Sequence, residues 1–532
     1  MEHILALDAG TGSIRAVLFD RTGKEISCSQ SEWSHQANPL FPGSMDFDYV
    51  LNWKLVKECI SECIEESNID AASIKVVSAT SMREAFVLYD REGKEIWACA
   101  NVDARAYEEV TDLRERMPTL EQDTYMKTGQ TFALSALPRL LWVKQKEPGL
   151  YEQAYKMSMI NDWILYKLSG ELQMDVSNGS STGLIQLKER EWAGDVLAAC
   201  HLKPDLLPPL NEAGTIIGSI SEAVEDETKL KKGTLVVSGG GDAQMASVGC
   251  GAIFEGQTVI SGGSFWQQEV NTKSPAPDSD ARIRLNCHSV QKLYQIETIT
   301  FNPGLVMRWF RDTFCEKEVE EAKETGQDPY ELLEQKASVL EAGSCGVIPI
   351  FSDTMNYMSW RHASPSFINL PIDDKGNGKI AMFRALEENA ALISYGNLCL
   401  IKKFTGFYPN EVIFVGGASK GSLWGQILAD VLGIPVKVPC VKEAAALGTA
   451  IVAGVSAGFY PSLEKAVETV IAWDTTYTPD FEKHAIYQRL YKQWERVYKK
   501  QLELADTGLT RHMWKEPGFK RKERAGENGK GE

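Results

Sequence analysis

The hydrophobic and polar positions divide the start of the chain into short apolar runs that end in glycine turns. Residues 4–7, Ile-Leu-Ala-Leu, form one run, which stops at Asp8 before the turn Ala9-Gly10-Thr11-Gly12-Ser13. Residues 14–20 alternate, with Ala16, Leu18 and Asp20 on one face and Val17 and Phe19 on the other, which predicts a second strand. Thr22-Gly23 turns the chain into a third run over 25–33. The spacing then predicts a helix over 52–67 and a buried strand over 74–79. Residues 86–89 and 96–98 read as a hairpin around Arg91-Glu92-Gly93, and helices fill much of 104–170, including 162–168.

The strand-then-glycine pattern recurs later. Leu235-Val236-Val237 runs into Ser238-Gly239-Gly240-Gly241-Asp242, and Thr258-Val259-Ile260-Ser261 into Gly262-Gly263-Ser264. A third instance, 412–415, enters Gly416-Gly417-Ala418-Ser419-Lys420 and is followed by a predicted helix over 422–432. The recurrence predicts an α/β protein of two related halves, 1–250 and 251–510, dividing near 245–255. Residues 511–532 are expected to be a disordered tail, because from about Lys515 the chain is charged and Gly-rich with no apolar period.

Composition narrows the partners. With 43% hydrophobic and 24% charged residues, the 532-residue chain can bury a core. Lys+Arg is 56 against Asp+Glu 73, and the net charge of −17 opposes broad contact with nucleic acid or an anionic membrane. No secretory leader or membrane-length apolar run is read, so a cytoplasmic protein is expected. The 11 cysteines are an odd number with no Cys-x-x-Cys, which fits reduced thiols. Cys59 and Cys63 fall on an apolar helix stripe and read as core, and the 7 dispersed histidines suggest no zinc site.

The candidate chemistry starts from Asp8 and Asp242, each at the end of an apolar strand beside a glycine turn. Either acid alone could equally be an Asx cap. Together, beside turns whose backbone N–H groups can cradle an anion, they suit phosphoryl transfer to an alcohol. Asp8 suits the organisation of Mg²⁺, largely through water, and Asp242 suits the base that takes the hydroxyl proton. Both are candidate metal contacts.

The segments ILALDAGTGSIRAVLFD, LVVSGGGDAQ and VIFVGGASKGSLWGQILADVLGIPV resemble the two phosphate motifs and the adenosine motif of the FGGY carbohydrate kinases. Asp103-Ala-Arg105, the segment from Asp162 to Gly170 and Glu443-Ala-Ala-Ala-Leu-Gly448 are similar to further family features, so the resemblance runs from Ile4 to about Tyr491. It implies two actin-like (ribonuclease H-like) ATPase domains with a catalytic cleft between them, and ATP with Mg²⁺ as phosphoryl source. It implies that Thr11, Gly12, Ser13 and Arg15 lie by the ATP phosphates, and that Gly262, Gly263 and Ser264 hold the β and γ phosphates. Gly304 and Arg308 would approach the nucleotide, Gly416, Gly417 and Gly421 would flank adenosine, and Lys420 would add a local positive charge. Family members often carry Asn where this chain has Gly421.

The same resemblance assigns the acceptor to Arg83 and Glu84, a pair of the kind that glycerol kinases carry; a surface ion pair is the alternative. Two glycerol-kinase features are absent. Asn101 stands where an aromatic is expected, and Ala133 where a tyrosine is expected. A more polar and roomier pocket is therefore expected, for a small carbonyl-polyol with Asp242 as base. A glycerol or pentulose acceptor is the alternative. Arg83, Glu84 and Asn101 can donate to or accept from its oxygens. Trp266, after the phosphate turn, is expected to add an aromatic wall, with core packing as its alternative. The resemblance admits a homodimer and names no regulatory protein partner.

Overall fold

The computed structural model describes residues 2–133, 135–358, 360–372 and 378–515. Two twisted sheets carry the chain. The first has the strand order Ile216–Ser219, Leu235–Gly241, Ile74–Ser81, His3–Ala9, Ser13–Asp20, Glu25–Glu32. Its last three strands form an antiparallel meander, while His3–Ala9, Ile74–Ser81 and Leu235–Gly241 run parallel.

The second sheet repeats this plan. Thr258–Gly262, Trp266–Thr272 and Tyr294–Thr300 pair antiparallel in that order, and Arg284–Cys287, which precedes Tyr294–Thr300 in the chain, pairs at its outer edge. Thr258–Gly262, Val412–Val415 and Val436–Pro439 run parallel, and Trp473–Tyr477 closes the other edge antiparallel. Both sheets set three parallel strands beside an antiparallel set, but the second adds Arg284–Cys287 at one edge, and its other edge strand follows its parallel neighbour in the chain instead of preceding it.

Most expected elements extend by a few residues. The strand expected over 4–7 occupies His3–Ala9, and that over 74–79 occupies Ile74–Ser81. The helix expected from 52 begins at Tyr49, because Asp48 accepts the Leu51 N–H at 2.9 Å and caps it. It ends at Ser67, before Asn68 at φ 55° in the left-handed region. The helix Ser422–Leu432 and the strand Phe86–Tyr89 keep the expected limits.

The central strands of the first sheet are buried on both faces. Leu5, Leu7, Ala16 and Leu18 pack toward the helix Tyr49–Ser67, where Cys59 and Cys63 lie in the core as expected. Ile4, Ala6, Val17 and Phe19 pack toward Ala446, Leu447, Ala450 and Ile451 of the helix Ala444–Ser456. A helix from the range expected for the second half, 251–510, therefore covers the first half's sheet. All eleven cysteines are free, and among the described residues no helix is long and apolar enough to cross a membrane.

The expected tail needs a correction at its start. Trp514–Lys515 pairs with Arg361–His362, and Trp514 packs 5.0 Å from Trp360 and 5.4 Å from Phe301. Residues 511–515 are thus folded structure, because Trp514 completes an aromatic cluster that a sequence period cannot show. The rest of the tail expectation, 516–532, lies outside the described residues.

Candidate functional site

Three parallel strands bring the acids together. His3–Ala9, Ile74–Ser81 and Leu235–Gly241 are neighbours, so their C-terminal ends deliver Asp8, Arg83-Glu84 and Asp242 to one edge. Asp8 is buried, and its pKa is raised to about 7, chiefly by burial and then by the charge of Asp242, with Arg15 opposing. Arg15 Nη1 lies 3.8 Å from Asp8 and 3.5 Å from Glu443. Asp242 opens the helix Asp242–Gly249 and accepts the Ala243 N–H at 2.8 Å. Its side chain is 41% exposed to the cleft, yet loss of solvation there raises its pKa to about 6, against the pull of Arg83.

Two carboxylates that repel each other suit a divalent cation. Among the described residues no cluster of three or more His, Cys, Asp or Glu could hold one. An ion at Asp8 and Asp242 would therefore take its remaining ligands from water and phosphate oxygens, as Mg²⁺ commonly does.

Arg83 and Glu84 do not sit at the surface. Arg83 is 5% exposed, Nη1 donates to Glu297, and Nε lies 3.8 Å from Asp242 Oδ1. Glu84, at φ 64°, pairs with Arg284 Nη2 at 2.5 Å, and Arg284 Nη1 lies 3.6 Å from Glu297. Glu297 is fully buried, and its pKa is lowered because Arg83 and then Arg284 outweigh the desolvation that opposes them. Its cross-strand neighbour Glu269 is pushed up to about 8 by burial and by the Glu297 charge.

The first glycine turn is held from behind. Trp33 Nε1 donates to the Gly10 carbonyl at 3.0 Å, and His35 Nε2 lies 2.6 Å from the Thr11 carbonyl. Thr11 and Gly12 are exposed and Ser13 is buried. Asn101 Nδ2 donates to Thr11 Oγ1 at 2.9 Å, so this candidate acceptor residue also braces the turn. Asp103 and Arg105 form an internal pair through Arg105 Nε at 2.8 Å and hold the Asn101 loop in place.

On the second half, the turn of Gly262, Gly263 and Ser264 meets two other glycines. A Cβ on Gly304 would stand 2.2 Å from the Gly263 carbonyl oxygen. A Cβ on Gly416, at φ 88°, would stand 2.7 Å from the Gly262 carbonyl oxygen. The backbones of these three candidate nucleotide segments therefore close on one another. Gly417 and Lys420 lie in the exposed turn after Gly416, and Arg308 is exposed on the helix Pro303–Phe314. Gly421 is backed by Glu334, which would lie 2.0 Å from a Cβ there and which accepts the Leu423 N–H at 2.9 Å.

Trp266 is a correction. It is 1% exposed and packs against Trp424 at 5.1 Å and Phe414 at 5.4 Å, inside the second half's core. Alternation along Trp266–Thr272 turns it away from the cleft, while the adjacent Phe265 is 44% exposed.

Glu297, Arg284 and Glu269 were not among the sequence candidates. The available signal was a charged residue inside an otherwise uncharged strand pattern, Gln-Ile-Glu-Thr-Ile and Gln-Gln-Glu-Val.

The model of the FGGY family of carbohydrate kinases, N-terminal domain, matches residues 3–249, and that of the C-terminal domain matches 269–457. The chain is 49% identical over 519 residues to the autoinducer-2 kinase of Yersinia enterocolitica, covering 97% of this chain and 98% of that protein. It is 50% identical over 518 residues to that of Escherichia coli K12, with the same shares covered. Among solved structures, xylulose kinase from Rhodospirillum rubrum superposes with a TM-score of 0.84 at 22% identity, over 94% of this chain and 99% of that one. Plasmodium falciparum glycerol kinase with ADP gives 0.80 at 20% identity, over 94% and 98%. At these identities the solved structures speak for the fold, two actin-like domains.

Proposed function

The chain belongs to the FGGY family of carbohydrate kinases, and from that premise we propose that it phosphorylates autoinducer-2. The γ-phosphoryl group of ATP passes to the terminal hydroxyl of 4,5-dihydroxypentane-2,3-dione. The observation that carries this reading is 49–50% identity along nearly the whole chain to autoinducer-2 kinases. A cytoplasmic setting belongs to the proposal, since the reaction consumes ATP and its charged product does not cross a membrane unaided.

ATP lies with its phosphates between the turn at Thr11-Gly12-Ser13 and the turn at Gly262-Gly263-Ser264. Arg15 approaches them from the first half, and Gly304 and Arg308 from the second. Gly416, Gly417, Lys420 and Gly421 border the adenosine. The acceptor lies between Arg83, Glu84, Asn101 and Asp242. Asp242 takes the proton of the attacking hydroxyl, the new O–P bond forms, and the bond from the γ phosphorus to the β–γ bridging oxygen breaks to release ADP. Mg²⁺ held by Asp8 and Asp242 would offset the negative charge on the phosphates. Approach of the two halves excludes water and suppresses idle hydrolysis.

Coupled detection of ADP with the dione, glycerol, xylulose and ribulose tests the assignment. The dione should give the highest kcat/KM. A clear preference for glycerol or a pentulose would replace it as substrate, and no ADP with any acceptor would remove the kinase assignment.

A further inference from the structure

Arg83 and Glu84 of the first half are paired crosswise with Glu297 and Arg284 of the second. Arg83 is separated from Glu297 by 214 residues, and both side chains are buried. We propose that Glu297 is a positioning residue for acceptor binding: it fixes the Arg83 guanidinium beside Asp242 and gives the pocket its selectivity for an uncharged polyol. The inference rests on the reading of Arg83 and Asp242 as acceptor-site residues.

The charges that face Arg83 are Glu297, Glu84, Asp242 and Glu269. Glu297 occupies Nη1, and Nε is held 3.8 Å from Asp242, too far for a direct hydrogen bond. Glu84 is already engaged by Arg284. Glu269 is engaged by Ser247 Oγ at 3.0 Å and Gln295 Nε2 at 3.1 Å. Removing the Glu297 charge therefore leaves Asp242 as the available partner for a buried guanidinium, which must find one. Arg83 would then move onto the base and away from the acceptor oxygens.

Selectivity has the same origin. Two arginines in a pocket ordinarily recognise a carboxylate or phosphate. Here each is paired with a carboxylate from the opposite half, Arg83 with the fully buried Glu297 and Arg284 with the partly buried Glu84, so an anionic acceptor gains no free guanidinium and meets Asp242. Hydroxyl and carbonyl oxygens need only the remaining N–H donors. Because Glu297 and Arg284 belong to the second half, this arrangement exists only when the two halves are together.

The test measures KM for acceptor and for ATP in wild type, Glu297→Gln, Glu297→Asp, Arg83→Gln and the double variants with Arg83→Gln. The acceptor is whichever compound of the panel has the highest wild-type kcat/KM, so the result does not depend on the dione assignment. Glu297→Gln should raise acceptor KM about tenfold or more with ATP KM within about twofold. Glu297→Asp, which keeps the charge, should recover a large part of that loss. In the Arg83→Gln background, Glu297→Gln should add less than about twofold, since it acts through Arg83. An unchanged acceptor KM, an equal rise in ATP KM, or effects that multiply in the double variant would overturn the proposal. If Glu297→Gln does not fold, Glu297→Asp alone and with Arg83→Gln decides it: a rise of about threefold that vanishes in the double variant supports the proposal, and any other pattern overturns it.

Discussion

Gly249 and Gly448 face each other where the helices Asp242–Gly249 and Ala444–Ser456 cross. A Cβ on Gly249 would stand 1.9 Å from the Ala444 carbonyl oxygen, and one on Gly448 would stand 1.8 Å from that of Met245. Each glycine's backbone nitrogen lies 2.8 Å from the Cβ the other would carry. The first helix begins at Asp242, and the second follows Glu443, which lies by Arg15. This backbone contact joins both ends of the candidate site.

Gly448→Ala should therefore force the helices apart, because backbone cannot give way as a side chain can. Overpacking of this kind costs about 1–3 kcal/mol. Denaturant unfolding should show that loss, and kcat should fall with it as Asp242 is displaced.

Asp242→Asn should keep ATP binding and lower phosphoryl transfer by about a hundredfold or more, the usual contribution of a general base. ATP affinity by calorimetry and turnover by ADP release separate the two. Near-normal turnover would remove Asp242 from the role of base.

Trp266→Phe should lower stability and leave acceptor KM within about twofold, because the indole fills the core behind the turn Gly262-Gly263-Ser264. A melting curve and acceptor kinetics check this. A large change in acceptor KM at unchanged stability would restore the aromatic wall.

Gly304→Ala should raise ATP KM more than acceptor KM. Its Cβ would stand 2.2 Å from the Gly263 carbonyl oxygen, so the helix Pro303–Phe314 and the turn at Gly263 must separate. Initial-rate kinetics in each substrate check this.

Stability without ligands should decline as pH rises between the unfolded and folded pKa values of the buried carboxyls, most clearly from about pH 6 to 8. Asp8, Asp175 and Asp353 are each raised to about 7, and Glu269 to about 8, with burial the first cause in each. A carboxyl whose folded pKa lies above its unfolded value adds stability that is complete below the unfolded value. That stability is lost as pH rises through the folded one. His288 and His362, lowered to about 3 and about 4, act in the opposite sense, but their gain is nearly complete by about pH 7. Thermal melts across this range check the sign, and Mg²⁺ with ATP should flatten the decline by compensating Asp8.

The sequence by itself determined the local features. The alternation from Ile14 to Asp20, the glycines after each apolar strand, and the acids at the strand ends are short-range patterns. Backbone sterics and hydrophobic periodicity dictate them within a few residues. Those patterns carried the α/β class, the two related halves, the family resemblance, and Asp8, Asp242, Arg83 and Glu84 as candidates. Tertiary structure decided what those residues meet. Trp266 and Phe265 are adjacent, and alternation says only that they face opposite ways; which face is core depends on Phe414 and Trp424, far along the chain. Asn101 is seen to brace Thr11 only once its loop is folded beside the turn. Trp514 gains its place from Trp360 and Phe301. Glu297 is invisible as a site residue until its strand lies across the cleft from Arg83, 214 residues earlier. The physical reason is one of range: periodicity fixes a side chain's direction relative to its own element, while burial and charge pairing depend on which distant element closes over it.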